Sequence, residues 1–291
     1  MTSKKRAPTF PLPLERLAPL PRRLVIAPGA AGDAAPPPRL AAVRVSRPVL
    51  RPQRPLQHAA EAAQQREVPS GLGLDSHGVR LRMVERLRRD GLRHEAVLAA
   101  LASVPRHRFV DSALATQAYE DTSLPLGHGQ TISKPSVVAR MLELLFQGSN
   151  ARASGSLGRV LEIGTGCGYQ AALLAQLSRQ VLSVERIKPL HERARTHLAA
   201  LREHRIRLVY GDGRRGHAPN APYDSIVAAA GGDELPSAWF EQLAEGGRLV
   251  APRLDARSGA QSLVVVDRTA AGFVQTLCET VLFVPLKSGL D

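Results

Sequence analysis

The chain has 291 residues, of which 44% are hydrophobic, so it is long enough to bury one large core. No apolar run approaches the roughly 18 residues of a membrane span, and the basic N-terminus lacks the apolar stretch and cleavage site of a secretory signal. The net charge of +13 suggests nucleic-acid binding, an interpretation that depends on where the charge lies.

The distribution of charge and proline separates a tail from a folded part. Residues 1–75 contain 13 of the 22 prolines, with 12 Lys or Arg against 5 Asp or Glu, whereas residues 76–291 contain 27 against 21. This composition predicts a disordered basic extension over residues 1–75 and a folded domain over residues 76–291. The extension is either a solvated tail or a tether to RNA, a membrane surface or an acidic protein.

Cysteine content bears on metal binding and on the cellular compartment. Two cysteines, Cys167 and Cys278, make neither a disulfide framework nor a zinc site. We therefore expect no bound metal and a reducing, cytoplasmic environment.

Three helices are predicted in the first part of the domain. Apolar residues recur at helical spacing from Val79 to Leu87 and again over 96–101, and a third helix begins at Pro135, because proline suits the first helical turn. Glycine and proline lower the helix propensity over 119–131, where we expect an irregular loop. A Gly/Ser linker is expected over 151–158.

A glycine-rich turn organises the rest of the domain. Residues 159–170 read Arg-Val-Leu-Glu-Ile-Gly-Thr-Gly-Cys-Gly-Tyr-Gln, which predicts a buried strand, a turn and a helix, the opening of a nucleotide-binding βαβ unit. A dinucleotide site needs glycine at position 169, which is Tyr169. G-x-G-x-G after a strand-end glutamate is instead typical of S-adenosylmethionine-dependent methyltransferases. A nicotinamide or flavin site and a purely structural turn are the alternatives.

Strands and helices alternate after this turn. Strands are predicted over 181–184, 206–210, 223–229 and 248–251, helices over 190–201 and 239–243, and antiparallel strands over 261–266 and 273–283. The pattern predicts a Rossmann-like α/β fold, with a mainly parallel doubly wound sheet, antiparallel C-terminal strands and a helical N-terminal addition. Ligands of such folds bind beyond the carboxyl ends of the strands.

Two acidic residues are expected at those strand ends. Glu185 ends the second strand of the predicted sheet, where a carboxylate can accept two hydrogen bonds from a ribose diol. Asp212, in Gly-Asp-Gly at the end of the third strand, can accept from an adenine amino group. The alternatives are an exposed strand-end carboxylate for Glu185 and an Asx-turn residue for Asp212.

Further motifs point to one family. Gln130-Thr131-Ile132-Ser133-Lys134-Pro135, the glycine turn, Ser183-Val184-Glu185-Arg186, Gly211-Asp212-Gly213 and Phe283-Val284-Pro285-Leu286 together resemble the protein-L-isoaspartate O-methyltransferases, over residues 76–291. The resemblance implies the class I methyltransferase fold and S-adenosyl-L-methionine as cofactor. It also implies methyl transfer to the free α-carboxylate of L-isoaspartyl residues in damaged proteins, which starts their conversion back to aspartyl residues.

The resemblance also implies site residues. Ser133 matches the family's active-site serine, and we expect its hydroxyl to orient the substrate carboxylate, which needs no general base because α-carboxyl groups ionise near a pKa of about 3.5. The alternative is that Ser133 only caps the helix at Pro135. The expected cofactor-binding residues are Gln130, Thr131, Ile132, Glu162, Gly164, Thr165, Gly166, Cys167, Glu185, Arg186, Asp212 and Gly213.

Two other functions compete with this one. A methyltransferase of the same fold could act on another carboxylate or a small molecule, but the segment 131–135 precedes the common core and favours the isoaspartyl substrate. A nucleic-acid-binding protein with a degenerate fold is disfavoured, because only 4% of residues are aromatic and no stacking motif is present. We therefore expect damaged proteins and peptides as partners, no membrane or nucleic acid at the folded domain, and a monomer.

Overall fold

The computed structural model describes residues 77–201, 204–255 and 258–291. The predicted basic extension over residues 1–75 lies outside the described residues. Within these ranges, no helix combines the length and the apolar character that crossing a membrane requires.

Short helices and a hairpin precede the main sheet. They are α1 (His77–Arg89), α2 (Glu95–Ser103), 3-10 turns at Arg106–Phe109 and Ser112–Gln117, the antiparallel strands β1 (Leu124–Gly127) and β2 (Gln130–Ile132), α3 (Pro135–Phe146) and α4 (Ser149–Ser154). The three helices predicted in this region are confirmed. In α1 the buried residues are Met83, Val84 and Leu87, which form one apolar stripe at helical spacing.

Two segments differ from the prediction. The expected loop over 119–131 contains the β1–β2 hairpin, whose central residues His128 (φ 53°) and Gly129 (φ 67°) both have the positive φ of a type I′ turn. The expected linker over 151–158 contains the end of α4, where Ala151 is buried and Gly155 (φ 65°) adopts the left-handed C-cap conformation. The glycines in both segments terminate regular structure.

A seven-stranded sheet forms the centre of the domain. Its strands are β3 (Arg159–Ile163), β4 (Gln180–Glu185), β5 (Ile206–Tyr210), β6 (Tyr223–Ala228), β7 (Leu243–Leu254), β8 (Gln261–Thr269) and β9 (Gly272–Val281). The spatial order is β5-β4-β3-β6-β7-β8-β9. Neighbours from β5 through β7 are parallel, and β8 and β9 are antiparallel, as predicted.

Helices cover both faces of the sheet. The remaining helices are α5 (Tyr169–Leu177), α6 (Lys188–Ala200) and α7 (Ser237–Gln242). Val160 and Val181 pack into a core with the N-terminal helices, α5 and α6, whereas the adjacent Leu161 and Leu182 pack into a second core with Trp239 of α7. This alternation follows from the two-residue period of a strand and makes the sheet the middle of three layers.

The order of the strands creates a crevice beside β3. The chain runs outward from β3 through β4 to β5 and then returns to β6 on the other side of β3. After β3, the Gly164 amide donates to the Val184 carbonyl at 2.9 Å, and after β6 the Ala229 amide donates to the Ile163 carbonyl at 2.8 Å. Connections that leave in opposite directions open a ligand site at the carboxyl ends of the two strands.

Candidate active site

A cleft occupies this crevice. It lies between the carboxyl ends of β3, β4 and β6, the β1–β2 hairpin and the segment after β9, and its empty space is about 860 Å³, part of which is open solvent. Leu126, Ile187 and Leu190 provide apolar wall. Every site residue predicted from the sequence lines the cleft except Glu162 and Asp212.

The glycine turn provides a floor of backbone. Gly164, Gly166 and Gly168 have φ values of 87°, 56° and 90°, in the left-handed region that suits glycine. A Cβ on Gly168 would lie 3.2 Å from side-chain carbons of Leu198 in α6. Because these glycines have no side chains, a ligand can approach the main chain closely here.

Cys167 within the turn is buried, and burial raises the pKa of its thiol to about 11, so the thiol stays neutral at physiological pH.

Glu185 ties the glycine turn to the end of β4. Its side chain is buried, Oε2 accepts from the Gly166 amide at 2.8 Å, and Oε1 accepts from the Ile187 amide at 2.9 Å. A carboxylate oxygen has two lone pairs, so each oxygen keeps one for a further donor. The carboxylate that was predicted to bind a ribose thus also fixes the shape of the turn.

Arg186 and Asp212 both contact the residues near Asp291. The Arg186 guanidinium donates to the Gly289 carbonyl at 2.9 Å and lies 3.6 Å from the Asp291 carboxylate. The Asp212 carboxylate accepts from the Arg214 amide at 2.9 Å and from the Gly289 amide at 2.8 Å. The contact with the Arg214 amide is of the Asx-turn type, which was the alternative role predicted for Asp212. Hydrogen bonding of Asp212 to adenine stays a prediction.

Glu162 lies beneath the cleft, not in its wall. It is fully buried, and its Oε2 accepts from the Ser183 hydroxyl, which also bonds to the Thr165 hydroxyl. Burial raises the pKa of the Glu162 carboxyl to about 8, against the opposing effect of the Ser183 hydrogen bond. Because Thr165 lines the cleft, Glu162 is linked to the cleft wall by hydrogen bonds through the hydroxyl groups of Ser183 and Thr165.

We expect the Glu162→Gln substitution to remove a pH dependence of stability. The folded pKa of about 8 lies above the usual 4.5, so the folded state holds the extra proton between these values, and stability falls as pH rises through that interval. The slope approaches about 1 kcal/mol per pH unit. Glutamine has no proton to lose and keeps an acceptor for Ser183.

Denaturant midpoints at about pH 5.5 and about pH 8 measure this effect, since the two conditions bracket most of the titration. The variant should gain stability relative to wild type as the pH is raised. A difference that is the same at both pH values would mean that the pKa of Glu162 is close to its ordinary value.

Ser133 lies between β2 and α3 with its hydroxyl unengaged. Among the residues that the structure describes, no hydrogen-bond partner contacts this hydroxyl. The N-cap of α3 is Lys134, and the cap contacts come from Asp121, whose two carboxylate oxygens accept from the Ser136 amide and the Ser136 hydroxyl, both at 2.8 Å. Helix capping is therefore not the role of the Ser133 side chain, which remains available to a ligand.

Part of the cleft was not predicted from the sequence. Val284, Pro285, Leu286 and Lys287 line the cleft, where the Gly231 amide donates to the Val284 carbonyl at 2.9 Å. The Val-Pro-Leu motif served as a family marker, and no pattern in it indicates that the chain returns to the carboxyl ends of β3 and β6. Its return depends on the antiparallel β8–β9 pair.

The strand order and the position of the cleft define the class of protein, a doubly wound α/β protein with the class I methyltransferase architecture. The family model for protein-L-isoaspartate(D-aspartate) O-methyltransferase matches residues 80–291. The chain belongs to this family.

Similar proteins agree over nearly the whole chain. It is 57% identical to the protein-L-isoaspartate O-methyltransferase of Methylibium petroleiphilum, over 99% of this chain and 98% of that protein. It is 58% identical to the protein of the same name from Leptothrix cholodnii, over 96% of this chain and 94% of that protein.

Solved structures support the fold. A protein-L-isoaspartate O-methyltransferase superposes with a TM-score of 0.65 at 29% identity, over 72% of this chain and 67% of that chain. A Plasmodium falciparum protein solved in complex with S-adenosyl-L-homocysteine superposes with a TM-score of 0.61 at 24% identity, over 72% of this chain and 98% of that chain. The predicted fold class is confirmed.

Proposed function

We infer that this chain transfers a methyl group from S-adenosyl-L-methionine to the free α-carboxylate of L-isoaspartyl residues in damaged proteins. This step starts the conversion of those residues back to aspartyl residues. The family match over residues 80–291 carries the inference. The position and composition of the cleft support it.

The residues of the cleft fit this cofactor. The left-handed glycines leave main chain open to close approach, and the Glu185 carboxylate beside them suits ribose hydroxyls. When bound, the cofactor supplies a methyl group activated by the positive sulfonium. We propose that it is held by Gln130, Thr131, Ile132, Gly164, Thr165, Gly166, Cys167, Glu185, Arg186, Asp212 and Gly213, with Glu162 supporting Thr165 from below.

The chain itself has little proton chemistry to perform. The acceptor carboxylate is ionised at neutral pH, so the residues need only orient it and exclude water. Orientation of this kind can lower a barrier by about 7–11 kcal/mol. We propose that the Ser133 hydroxyl donates a hydrogen bond to the carboxylate, and that the β1–β2 hairpin, through Leu126, covers the cleft.

Paired peptides test the function directly. Two peptides of one sequence, one with an isoaspartyl residue and one with an aspartyl residue, are incubated with methyl-labelled S-adenosyl-L-methionine. We expect base-labile label on the isoaspartyl peptide and almost none on its partner. Equal labelling of the two peptides would contradict the proposal and favour a methyltransferase for other carboxylates.

We propose that residues 76–291 form the catalytic domain and that the basic extension takes no part in the reaction. Among the described residues, those that line the cleft lie between Leu126 and Lys287. Deletion of residues 1–75 should therefore leave kcat and the KM for the isoaspartyl peptide within about twofold of wild type. Steady-state kinetics of the two forms measure this. A KM that rises strongly on deletion would mean that the extension binds substrate.

We also propose a cytoplasmic monomer whose partners are isoaspartyl-containing proteins and peptides, with no membrane or nucleic acid bound by the folded domain. Both cysteines are free thiols, which suits a reducing compartment. Cell fractionation tests the location, and light scattering of the purified protein tests the oligomeric state.

A further inference from the structure

Arg106 is a fully buried arginine that connects three segments around the cleft. Its Nε donates to the Ala118 carbonyl at 2.8 Å, and its Nη2 donates to the Ser133 carbonyl at 2.7 Å. The guanidinium carbon lies 4.9 Å from the centroid of the Tyr169 ring, at the start of α5. Ser133 and Tyr169 both line the cleft, so the guanidinium sits immediately behind its wall.

The guanidinium of Arg106 makes no close ion pair within the described residues. No carboxylate of those residues lies within 4.0 Å of it, its hydrogen-bond acceptors are neutral carbonyls, and the Asp121 carboxylate favours its charge only from a greater distance. Its Nη1 is buried without a hydrogen-bond partner among those residues. Burial lowers the pKa of Arg106, but a guanidinium stays charged in proteins. A buried, unpaired charge is costly for the fold alone, which points to a ligand of opposite charge.

Two carboxylates enter the cleft in the proposed reaction, that of the substrate and the methionyl carboxylate of the cofactor. Glu185, a carboxylate of the cleft wall, is already engaged by the amides of Gly166 and Ile187. The proposed function assigns the substrate carboxylate to the hydroxyl of Ser133, whose main chain Arg106 holds. The Kd for S-adenosyl-L-homocysteine, which carries the methionyl carboxylate, separates the two.

We propose that Arg106 is a positioning residue for the acceptor carboxylate. Its fork fixes the main chain of Ser133 against Ala118, which sets the direction of the hydroxyl, and its charge favours a carboxylate at that hydroxyl. Arg106 does not line the cleft, so it acts through Ser133. The inference rests on the proposed function and adds a determinant of substrate binding to it.

A double-mutant cycle with Ser133 tests this role. Arg106→Met replaces the guanidinium with an apolar side chain, and it is made in wild type and in Ser133→Ala. We expect the substitution to lower kcat/KM for the isoaspartyl peptide at least about tenfold in wild type, mainly through a raised KM. In Ser133→Ala it should change kcat/KM less than about threefold, because coupled residues are not additive. The Kd for S-adenosyl-L-homocysteine should stay within about twofold of wild type.

Two further variants separate positioning from folding. Arg86→Met is the matched control, because Arg86 donates to the Tyr119 carbonyl at 2.6 Å, one residue beyond Ala118, and does not reach Ser133. We expect its kinetics to stay within about twofold of wild type. Arg106→Lys keeps the charge but loses the fork, so it should fall between wild type and Arg106→Met. If Arg106→Met does not fold, Arg106→Lys replaces it in the double-mutant cycle, in wild type and in Ser133→Ala.

Three outcomes would overturn the role of Arg106. An equal loss of kcat/KM with and without the Ser133 hydroxyl would make Arg106 purely structural. The same would follow if Arg86→Met reproduced the loss. No turnover of isoaspartyl peptide by the wild-type protein would instead remove the proposed function and this role with it, so the two failures are distinguishable.

Discussion

Ser133→Ala is expected to lower kcat for an isoaspartyl peptide by about 100-fold, because loss of one preorganised donor at a reacting group typically costs about 10²–10³ in rate. Ser133 lines the cleft and its hydroxyl has no hydrogen-bond partner among the described residues, so the substitution breaks no hydrogen bond between them. The Kd for S-adenosyl-L-homocysteine should therefore stay within about twofold of wild type. Single-turnover rates and calorimetric titration measure the two quantities separately.

Ser136→Ala is the matched control for this prediction. The Ser136 hydroxyl lies three residues along the chain and bonds to Asp121 at 2.8 Å, outside the cleft. Its loss should cost about 1 kcal/mol of stability, the usual effect of weakening a helix cap, and leave kcat unchanged. If Ser133→Ala lowered kcat and cofactor affinity by the same factor, Ser133 would have a structural role.

Glu185→Gln is expected to raise the Kd for S-adenosyl-L-homocysteine about 100-fold, a change of about 3 kcal/mol in binding free energy. The carboxylate accepts from two main-chain amides, at Gly166 and Ile187. A glutamine amide would turn its NH2 group toward one of these donors, and each charge-assisted bond contributes about 1.5–3 kcal/mol. The glycine turn would thus lose its link to β4 together with an acceptor for the ribose. Calorimetric titration with S-adenosyl-L-homocysteine measures the change.

Glu143 provides a control with the same chemistry at another place. Its side chain is buried in α3 and accepts from the amides of Arg93 and His94, at 2.7 and 3.1 Å. It does not line the cleft. Glu143→Gln should therefore lower stability and leave the Kd for S-adenosyl-L-homocysteine within about twofold of wild type. Equal weakening of binding by the two substitutions would mean that Glu185 acts only through overall stability.

Much of the fold could be predicted because its signals are local. Strands of a parallel sheet are buried on both faces and read as short apolar runs, and the glycines of the turn mark its position directly. The β1–β2 hairpin and α4 were missed because glycine has several uses. Gly129 completes a hairpin turn and Gly155 ends a helix, whereas in sequence both resemble loop residues.

The site could be predicted where its residues follow predicted strand ends or belong to a family motif. Thr165 and Glu185 lie at the ends of predicted strands, whereas Ser133 was expected only from the resemblance of its motif to the family. All three line the cleft. Asp121 and Arg106 could not be found in this way. Asp121 caps a helix that begins 14 residues later, and Arg106 acts on a carbonyl 27 residues away. Such roles depend on tertiary contacts, for which a single sequence carries no periodic signal.

The cleft takes its wall from the β1–β2 hairpin, from the glycine turn in the middle of the domain and from Val284 to Lys287. No single secondary-structure element or short segment contains the whole site, because its lining residues are spread from Leu126 to Lys287. A molecule that is clipped, or that has not yet docked its last strands, therefore lacks a complete binding surface even where its central sheet has formed. Cofactor affinity therefore depends on the whole domain being folded and uncleaved. A ligand at 100 times its Kd would stabilise the intact form by about 2.7 kcal/mol relative to a form that cannot bind it.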